Sequence, residues 1–436
     1  MASGKFNLAR CWRQALARLD NFSLEVLLSM GSLVVLAISG VLLNMIITLA
    51  RGTSGLGVFN QVFALYILAS QLATVGLQNS VLKQISYASD DCELQADIAT
   101  SALLLVVLCS VPVMVGGFLA TGLVEDYFRS ADVGAGFRFV LPGLLFFGLN
   151  KVLINILNGL QQMKAYAVFR SLRFILLLGS VIILIALGVA DSTIPLALTL
   201  TEIVLFLTLF VLIYRRLLPF KPINSIYARC VEHLSYGSRS MLGGALLELN
   251  TRMDVIILGY FTTDGQVGIY SFAAMLAEGF AQFPVAFRWN LDPILGQHFV
   301  HGALDQIQAL IMTLRRRIFL SIGGLGILAV AGYPLGYWLL FGPTHLVVSW
   351  SIFALIVMGV VVNAPYAAFK GLILQGGHPM LFTFLTFCLF VSDTVLNVLF
   401  IPYLGILGAA LVTAITFMLD AVYLRLATRR LFAIRI

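Results

Sequence analysis

The sequence predicts an all-α integral membrane protein of about twelve transmembrane helices, arranged as two halves of six. Three observations carry that prediction. Of 436 residues, 60% are hydrophobic and 11% charged, and the mean hydropathy is strongly positive, which puts the chain far outside the composition of a water-soluble globule. The apolar residues form continuous runs of about 20, the length a helix needs to cross the hydrocarbon layer, without the period-two polar alternation of a transmembrane β-barrel. The basic residues are segregated to alternate connections, as expected of a polytopic chain whose inner loops carry the positive charge.

Measured with that ruler, spans fall near 25–49, 58–82, 99–121, 138–161, 167–189, 194–214, 238–261, 267–288, 318–341, 347–369, 380–401 and 405–425, leaving no stretch of size for a soluble domain. A basic arm precedes the first, KFNLARCWRQALARLD from Lys5. It is either an amphipathic helix resting on anionic lipid or a solvated positive start that orients the first span. That span is too long for the apolar region of a cleavable signal peptide and no small-residue cleavage site follows it, so it is expected to stay as an anchor. The organisation expected is a cytoplasmic arm (1–23), a first half (24–214), a cytoplasmic connector (215–237), a second half (238–425) and a cytoplasmic tail (426–436).

With both termini inside, only Arg51, Arg129 and Arg138 of the 27 Lys and Arg residues fall on the outer side; Lys151 and Arg252 lie within spans and the rest face inward. The net charge of +7 therefore reports topology, and no nucleic-acid partner is expected. Of the five cysteines, Cys11, Cys92 and Cys230 map to the inner side and Cys109 and Cys388 within spans. No disulfide framework is expected.

The halves echo each other. GVFNQVFAL from Gly57 and GIYSFAAML from Gly268 each follow an outer turn, and NGLQQMKAY from Asn158 and KGLILQGGHP from Lys370 each leave a span inward, at offsets of 211 and 212 residues. Equal orientation in both halves makes this a parallel repeat about an axis along the membrane normal, a plan used by transporters that work around a central site.

Lys151, Glu202, Glu248, Arg252, Asp254, Glu278, Asp393 and Asp420 all fall inside these spans. At about 2.5–3.5 kcal/mol each at mid-membrane, lipid exposure of all of them costs on the order of 20 kcal/mol, above the roughly 5–15 kcal/mol of a domain's net stability. They are therefore expected to face partners or water. Glu248 and Arg252 are spaced to meet on one helix face, either as a self-neutralised staple or as part of a site. Lys151, Asn155, Asn158 and Gln162 form one polar stripe, and Lys151 sits too deep for its stem to reach water along the lipid face. Asp254, Glu278, Asp393 and Asp420 are either hydrogen-bonded structural carboxylates or ion-coupling groups; Asp254 and Glu278, on adjacent helices, are the leading proton-linked pair. Pro112, Pro142, Pro284, Pro334 and Pro365 read as hinges or as tolerated kinks. The chain has no Gly-rich Lys-Ser/Thr nucleotide loop, no metal-ligating histidine cluster and no nucleophile with a base. Neither cofactor, metal nor enzymatic activity is expected.

LARGTSGLGVFNQVFALYILASQLATVGLQNSVLKQIS from Leu49, LNTRMDVIILGYFTTDGQVGIYSFAAML from Leu249 and IPYLGILGAALVTAITF from Ile401 resemble the polysaccharide-exporter (O-antigen flippase) branch of the multidrug/oligosaccharidyl-lipid/polysaccharide (MOP) flippase superfamily, and the likeness runs over nearly the whole chain. The resemblance implies two six-helix lobes in a V around a central cavity. It also implies export of undecaprenyl-pyrophosphate-linked oligosaccharide across the bacterial inner membrane, for O-antigen, lipopolysaccharide, capsule or exopolysaccharide, among membrane lipids and beside a polysaccharide polymerase and a chain-length regulator. Lipid II flippases resemble the scaffold but carry an Arg-Asp pair in the first helix, and multidrug antiporters often an Asp; here LLNMIIT, with Asn44 and Met45, has no charge.

For such a substrate, Lys151 and Arg252 are expected to clamp the diphosphate across the cavity by charge-assisted bonds, with Asn150, Asn155, Asn158 and Gln162 on the sugars and Glu248 holding Arg252 while competing for it. Two other classes fit a chain of this kind. An ion-coupled small-molecule antiporter needs a narrower, more aromatic pocket. A membrane-embedded polymerase or ligase needs large outer loops with catalytic Arg or His, whereas these outer loops are short and hold one histidine, His345.

Overall fold

The computed structural model describes residues 8–88, 91–217, 226–432 and 434. The start of the basic arm, the middle of the 215–237 connector and most of the last four residues of the tail lie outside them. Among the described residues the chain forms α-helices and no strand. In order these are α1 (Leu8–Thr74), α2 (Leu77–Tyr87), α3 (Cys92–Leu119), α4 (Thr121–Phe128), α5 (Ala131–Gly159), α6 (Met163–Ala186), α7 (Leu196–Leu212), α8 (Ile226–Asn250), α9 (Met253–Phe261), α10 (Asp264–Val300), α11 (Leu304–Phe341), α12 (Leu346–Ala367), α13 (Leu372–Gln375) and α14 (Pro379–Phe432). Among the described residues eight helices are long and apolar enough to cross a membrane, which makes the chain a multi-pass membrane protein.

Local chemistry sets the element ends. Asp91 caps α3 by accepting the Leu94 N–H at 2.9 Å, and Thr263 and Gln266 form a reciprocal capping box at the start of α10, satisfying N–H groups that a helix cannot pair internally. α1 and α14 each hold two of the expected spans, divided at Gly52 (φ 71°) and Gly405 (φ 57°). Only glycine adopts that left-handed region without a steric penalty, so both breaks sit where the sequence places a boundary. The expected seventh and eighth spans fall on α8–α9 and α10, which are not among the eight. The seventh is also not one helix: the chain turns at 251–252 and Arg252 leaves helical backbone (φ −131°, ψ −12°). Pro112, Pro142, Pro284, Pro334 and Pro365 all lie within continuous helices.

Large apolar side chains such as Ile183, Ile327 and Leu328 stand exposed on the flanks, where hydrocarbon is the solvent and exposure carries no hydrophobic penalty. The side of the 88–91 and 159–163 connections is termed inner, the one the basic residues assign to the cytoplasm; the side of the 262–264 connection is outer. On the outer side the second part of α1 crosses α10 with backbone against backbone. A Cβ at Gly57 would lie 1.8 Å from the Asp264 carbonyl oxygen, and one at Gly268 1.9 Å from that of Thr53. The two glycines whose segments echo each other in sequence are thus the ones that meet between the halves. Asp264 closes the same seam, accepting from Gln61 at 2.8 Å and Ser130 at 2.7 Å, both in the first half.

Candidate functional site

Between the halves lies a polar cavity of about 260 Å³. Gln71 on α1, Gln78 and Asn79 on α2, and Lys151 and Asn155 on α5 line it from the first half; Ser240, Met241, Gly244, Ala245 and Glu248 on α8 line it from the second. Asn155 donates to the Lys151 carbonyl at 2.8 Å.

Lys151 is the charge centre of this cavity. Its Nζ lies 3.7 Å from Glu248 Oε2 and 4.9 Å from the centre of the Phe147 ring, and it has no hydrogen-bond partner among the described residues. Coulomb attraction and the ring's negative face hold the buried ammonium, and none of its three donors is spent on a hydrogen bond among the described residues. Glu248 is held in turn by a hydrogen bond from the Gln71 amide. Behind Phe147, the guanidinium carbon of Arg173 sits 4.8 Å from the same ring. Arg173 pairs with the buried Glu202 in two-pronged fashion, Nε to Oε1 at 3.0 Å and Nη2 to Oε2 at 3.2 Å. Asn150 completes that pair, donating to the Glu202 side chain and carbonyl, each at 2.8 Å. One aromatic ring therefore has two cations against it, one neutralised within the first half and one offered to the cavity.

The residues singled out in the sequence separate into groups. Lys151, Asn155 and Glu248 come together. Asn150 does not face the cavity, because one residue along a helix is a rotation of about 100° and its side chain is committed to Glu202. Asn158 sits in the last turn of α5 and Gln162 is exposed at the start of α6; neither lines the cavity. The expected Glu248–Arg252 staple is not formed. The turn at 251–252 rotates Arg252 off the Glu248 face, and its guanidinium packs 5.2 Å from the Phe63 ring of the first half. Glu248 bridges to Lys151 instead, across the two halves.

The carboxylates of the second half form a separate set. Asp254 accepts from the Tyr270 hydroxyl, which is also 3.1 Å from Thr413. Asp393 accepts from Asn397 at 3.0 Å and Thr416 at 2.9 Å. Glu278 lies within electrostatic reach of Arg252 and Asp254, and Asp393 of Asp254. Nearer the inner side, Asp420 pairs with Lys370 at 2.8 Å. Among the described residues no group of three or more His, Cys, Asp or Glu is arranged to hold a metal ion.

Sequence reasoning missed Gln71, Gln78 and Asn79, three of the cavity's four amides, and counted Arg173 among the inner-side charges. The signal was present, since uncharged amides inside an apolar run need partners as much as charges do.

Residues 25–283 match the family described as polysaccharide biosynthesis protein. Solved structures share the fold at low identity. A multidrug resistance MATE family transporter of the MOP superfamily, in its inward-facing conformation, is 16% identical over 90% of this chain and 93% of its own, with a TM-score of 0.73. The lipid II flippase MurJ, in an inward closed conformation, is 15% identical over 93% of this chain and 87% of its own, with a TM-score of 0.74. A MOP superfamily transporter from Pyrococcus furiosus, described as having a binding pocket of reverse polarity, is 15% identical over 93% of each chain, with a TM-score of 0.57. No curated protein matches the chain.

Proposed function

The chain belongs to the polysaccharide biosynthesis protein family, and from that membership we propose that it is a flippase moving undecaprenyl-pyrophosphate-linked oligosaccharide across the bacterial inner membrane by alternating access, for O-antigen, capsule or exopolysaccharide assembly. The observation that carries this reading is the Lys151 ammonium. It belongs to a helix long and apolar enough to cross a membrane and lines an amide-lined cavity, bridged to the opposite half through Glu248 at 3.7 Å and short of hydrogen-bond acceptors. A diphosphate supplies those acceptors by charge-assisted bonds, and Glu248 acts as its placeholder, keeping the lysine neutralised when the site is empty. The side-chain oxygens and amides of Gln71, Gln78, Asn79 and Asn155 suit sugar hydroxyls. The polyprenyl tail stays in the lipid.

The cavity falls below the roughly 300–1,000 Å³ of ordinary ligand pockets, so the halves must part to admit a lipid-linked oligosaccharide. Arg252, one turn beyond Glu248, is the second cation of the clamp once the cavity extends past that carboxylate. The motive force is assigned to Asp254 and Glu278 as proton-linked groups. A multidrug-type antiporter shares this fold, but its substrates favour an apolar aromatic pocket rather than amides and an ion pair.

The test is flipping of fluorescent lipid-linked oligosaccharide, or polymer display in cells lacking the exporter, with membrane levels of the protein held equal. Lys151→Ala and Arg252→Ala are each expected to lose most transport. Near-normal activity in both overturns the clamp.

A further inference from the structure

His233, on the part of α8 that precedes the cavity-lining stretch, is fully buried, and among the described residues its ring hydrogen-bond contacts run to the first half. Its Nδ1 lies 3.0 Å from Ser80 Oγ and 3.4 Å from Gln84 Nε2; its Nε2 lies 3.2 Å from both the Ile98 carbonyl oxygen and Ser101 Oγ. Two turns along α8, Ser240 lines the cavity and sits 3.4 Å from Asn79. Between them, a Cβ at Gly237 would come within 2.6 Å of the Val75 carbonyl oxygen. Residues 233–237 therefore form the seam that separates the cavity from the inner side.

We propose that His233 is a proton-operated latch on that seam: the neutral ring pins the second half to the first below the cavity, and a proton taken up at Nδ1 from the inner aqueous phase releases it. The inference rests on the flippase reading only in assuming that the halves part on this side.

The socket is built for the neutral ring. The Ile98 carbonyl can only accept, so Nε2 carries the hydrogen, and the Gln84 amide, which also donates to Ser80 Oγ at 3.0 Å, presents a donor toward Nδ1. A proton on Nδ1 opposes the Gln84 amide donor, obliges the Ser80 hydroxyl to turn from donor to acceptor, and places a whole charge where no carboxylate touches the ring among the described residues, a costly burial. The charged groups facing this region are Glu232 and Arg229 on α8, joined to each other at 3.2 Å, Lys83 on α2, whose Nζ lies 4.4 Å from the Tyr236 ring, and Asp97 on α3, adjacent to Ile98. Burial pulls the imidazole below its ordinary value, with Glu232 opposing and Arg229 adding to the effect. The sign follows by linkage. With the halves parted the ring is hydrated and titrates near about 6.5, so the parted form binds more protons, and the latch holds above that value and loosens as pH falls through it.

The latch is read directly, independently of substrate, by pulsed dipolar spectroscopy between spin labels at the exposed Ser86 and Tyr227, in nanodiscs, with the five native cysteines replaced. Between about pH 8 and about pH 5.5, either side of the free imidazole value, the wild-type distribution is expected to shift from a single short separation to a majority long one. His233→Gln, which keeps a donor for Ile98 but takes up no proton, is expected to remain short throughout. A wild-type distribution unchanged with pH overturns the latch, as does a His233→Gln protein that shifts like wild type. Neither result bears on the Lys151 clamp, whose test is transport.

Discussion

Lys151 of the first half and Glu248 of the second meet across the cavity with 3.7 Å between Nζ and Oε2, the one ion pair among the described residues that joins the two halves. That separation is long for a hydrogen bond and short for a Coulomb pair, so the contact neutralises the lysine without using up its donors. Glu248 should therefore set the balance between capture and release. Glu248→Gln is expected to tighten binding of undecaprenyl pyrophosphate about tenfold while slowing turnover, and Lys151→Ala to weaken it about 10–100-fold, the range of one charge-assisted bond. Titration of the purified protein with the lipid checks both. Equal affinity in the two variants sinks the placeholder role.

Arg173 and Glu202 are a structural pair. Removing one partner leaves a buried, uncompensated charge, so Arg173→Met is expected to cost about 3–5 kcal/mol of stability, and the Arg173→Met/Glu202→Met double variant to recover most of it. Thermal unfolding in detergent checks this. A double variant no more stable than the single one contradicts the assignment.

The α1–α10 crossing has no room for a side chain. Gly57→Ala or Gly268→Ala forces backbone apart and is expected to destabilise by at least about 1–3 kcal/mol, whereas Gly279→Ala, elsewhere on α10 with nothing within 4 Å of the added carbon, is expected to be neutral. Comparing unfolding midpoints of the three variants decides it.

If Asp254 and Glu278 are the proton-linked groups, Asp254→Asn and Glu278→Gln should leave residual transport that no longer responds when the proton gradient is collapsed. Asp420→Asn, whose partner is Lys370, should leave the response unchanged. Transport in vesicles with and without a protonophore makes the comparison. The same residual sensitivity in all three variants removes the pair from the coupling scheme.

Several features of the site were legible in the sequence. A lysine too deep to reach water must line something, and it does, together with the asparagine one turn on. The echo between Gly57 and Gly268 was legible as a repeat, while their close crossing was not. What failed were inferences that carried helical spacing through a break. Glu248 and Arg252 share a face only if the helix continues, and 251–252 ends it: the Thr251 hydroxyl bonds back to the Glu248 carbonyl at 2.9 Å, a local bond of the kind that competes with helix continuation. Asn150 failed for a simpler reason, since adjacent residues on a helix face different neighbours.

The sequence alone determined the solvent, the helical class and the need for inward-facing charge, because each follows from the cost of placing polar groups in hydrocarbon, whatever their neighbours. It could not determine which charge answers which. Glu248 with Lys151, Arg173 with Glu202 and His233 with Ser80 and Ile98 are long-range choices, fixed by where helices cross and by which rotation about each axis packs best, and only the tertiary structure makes them.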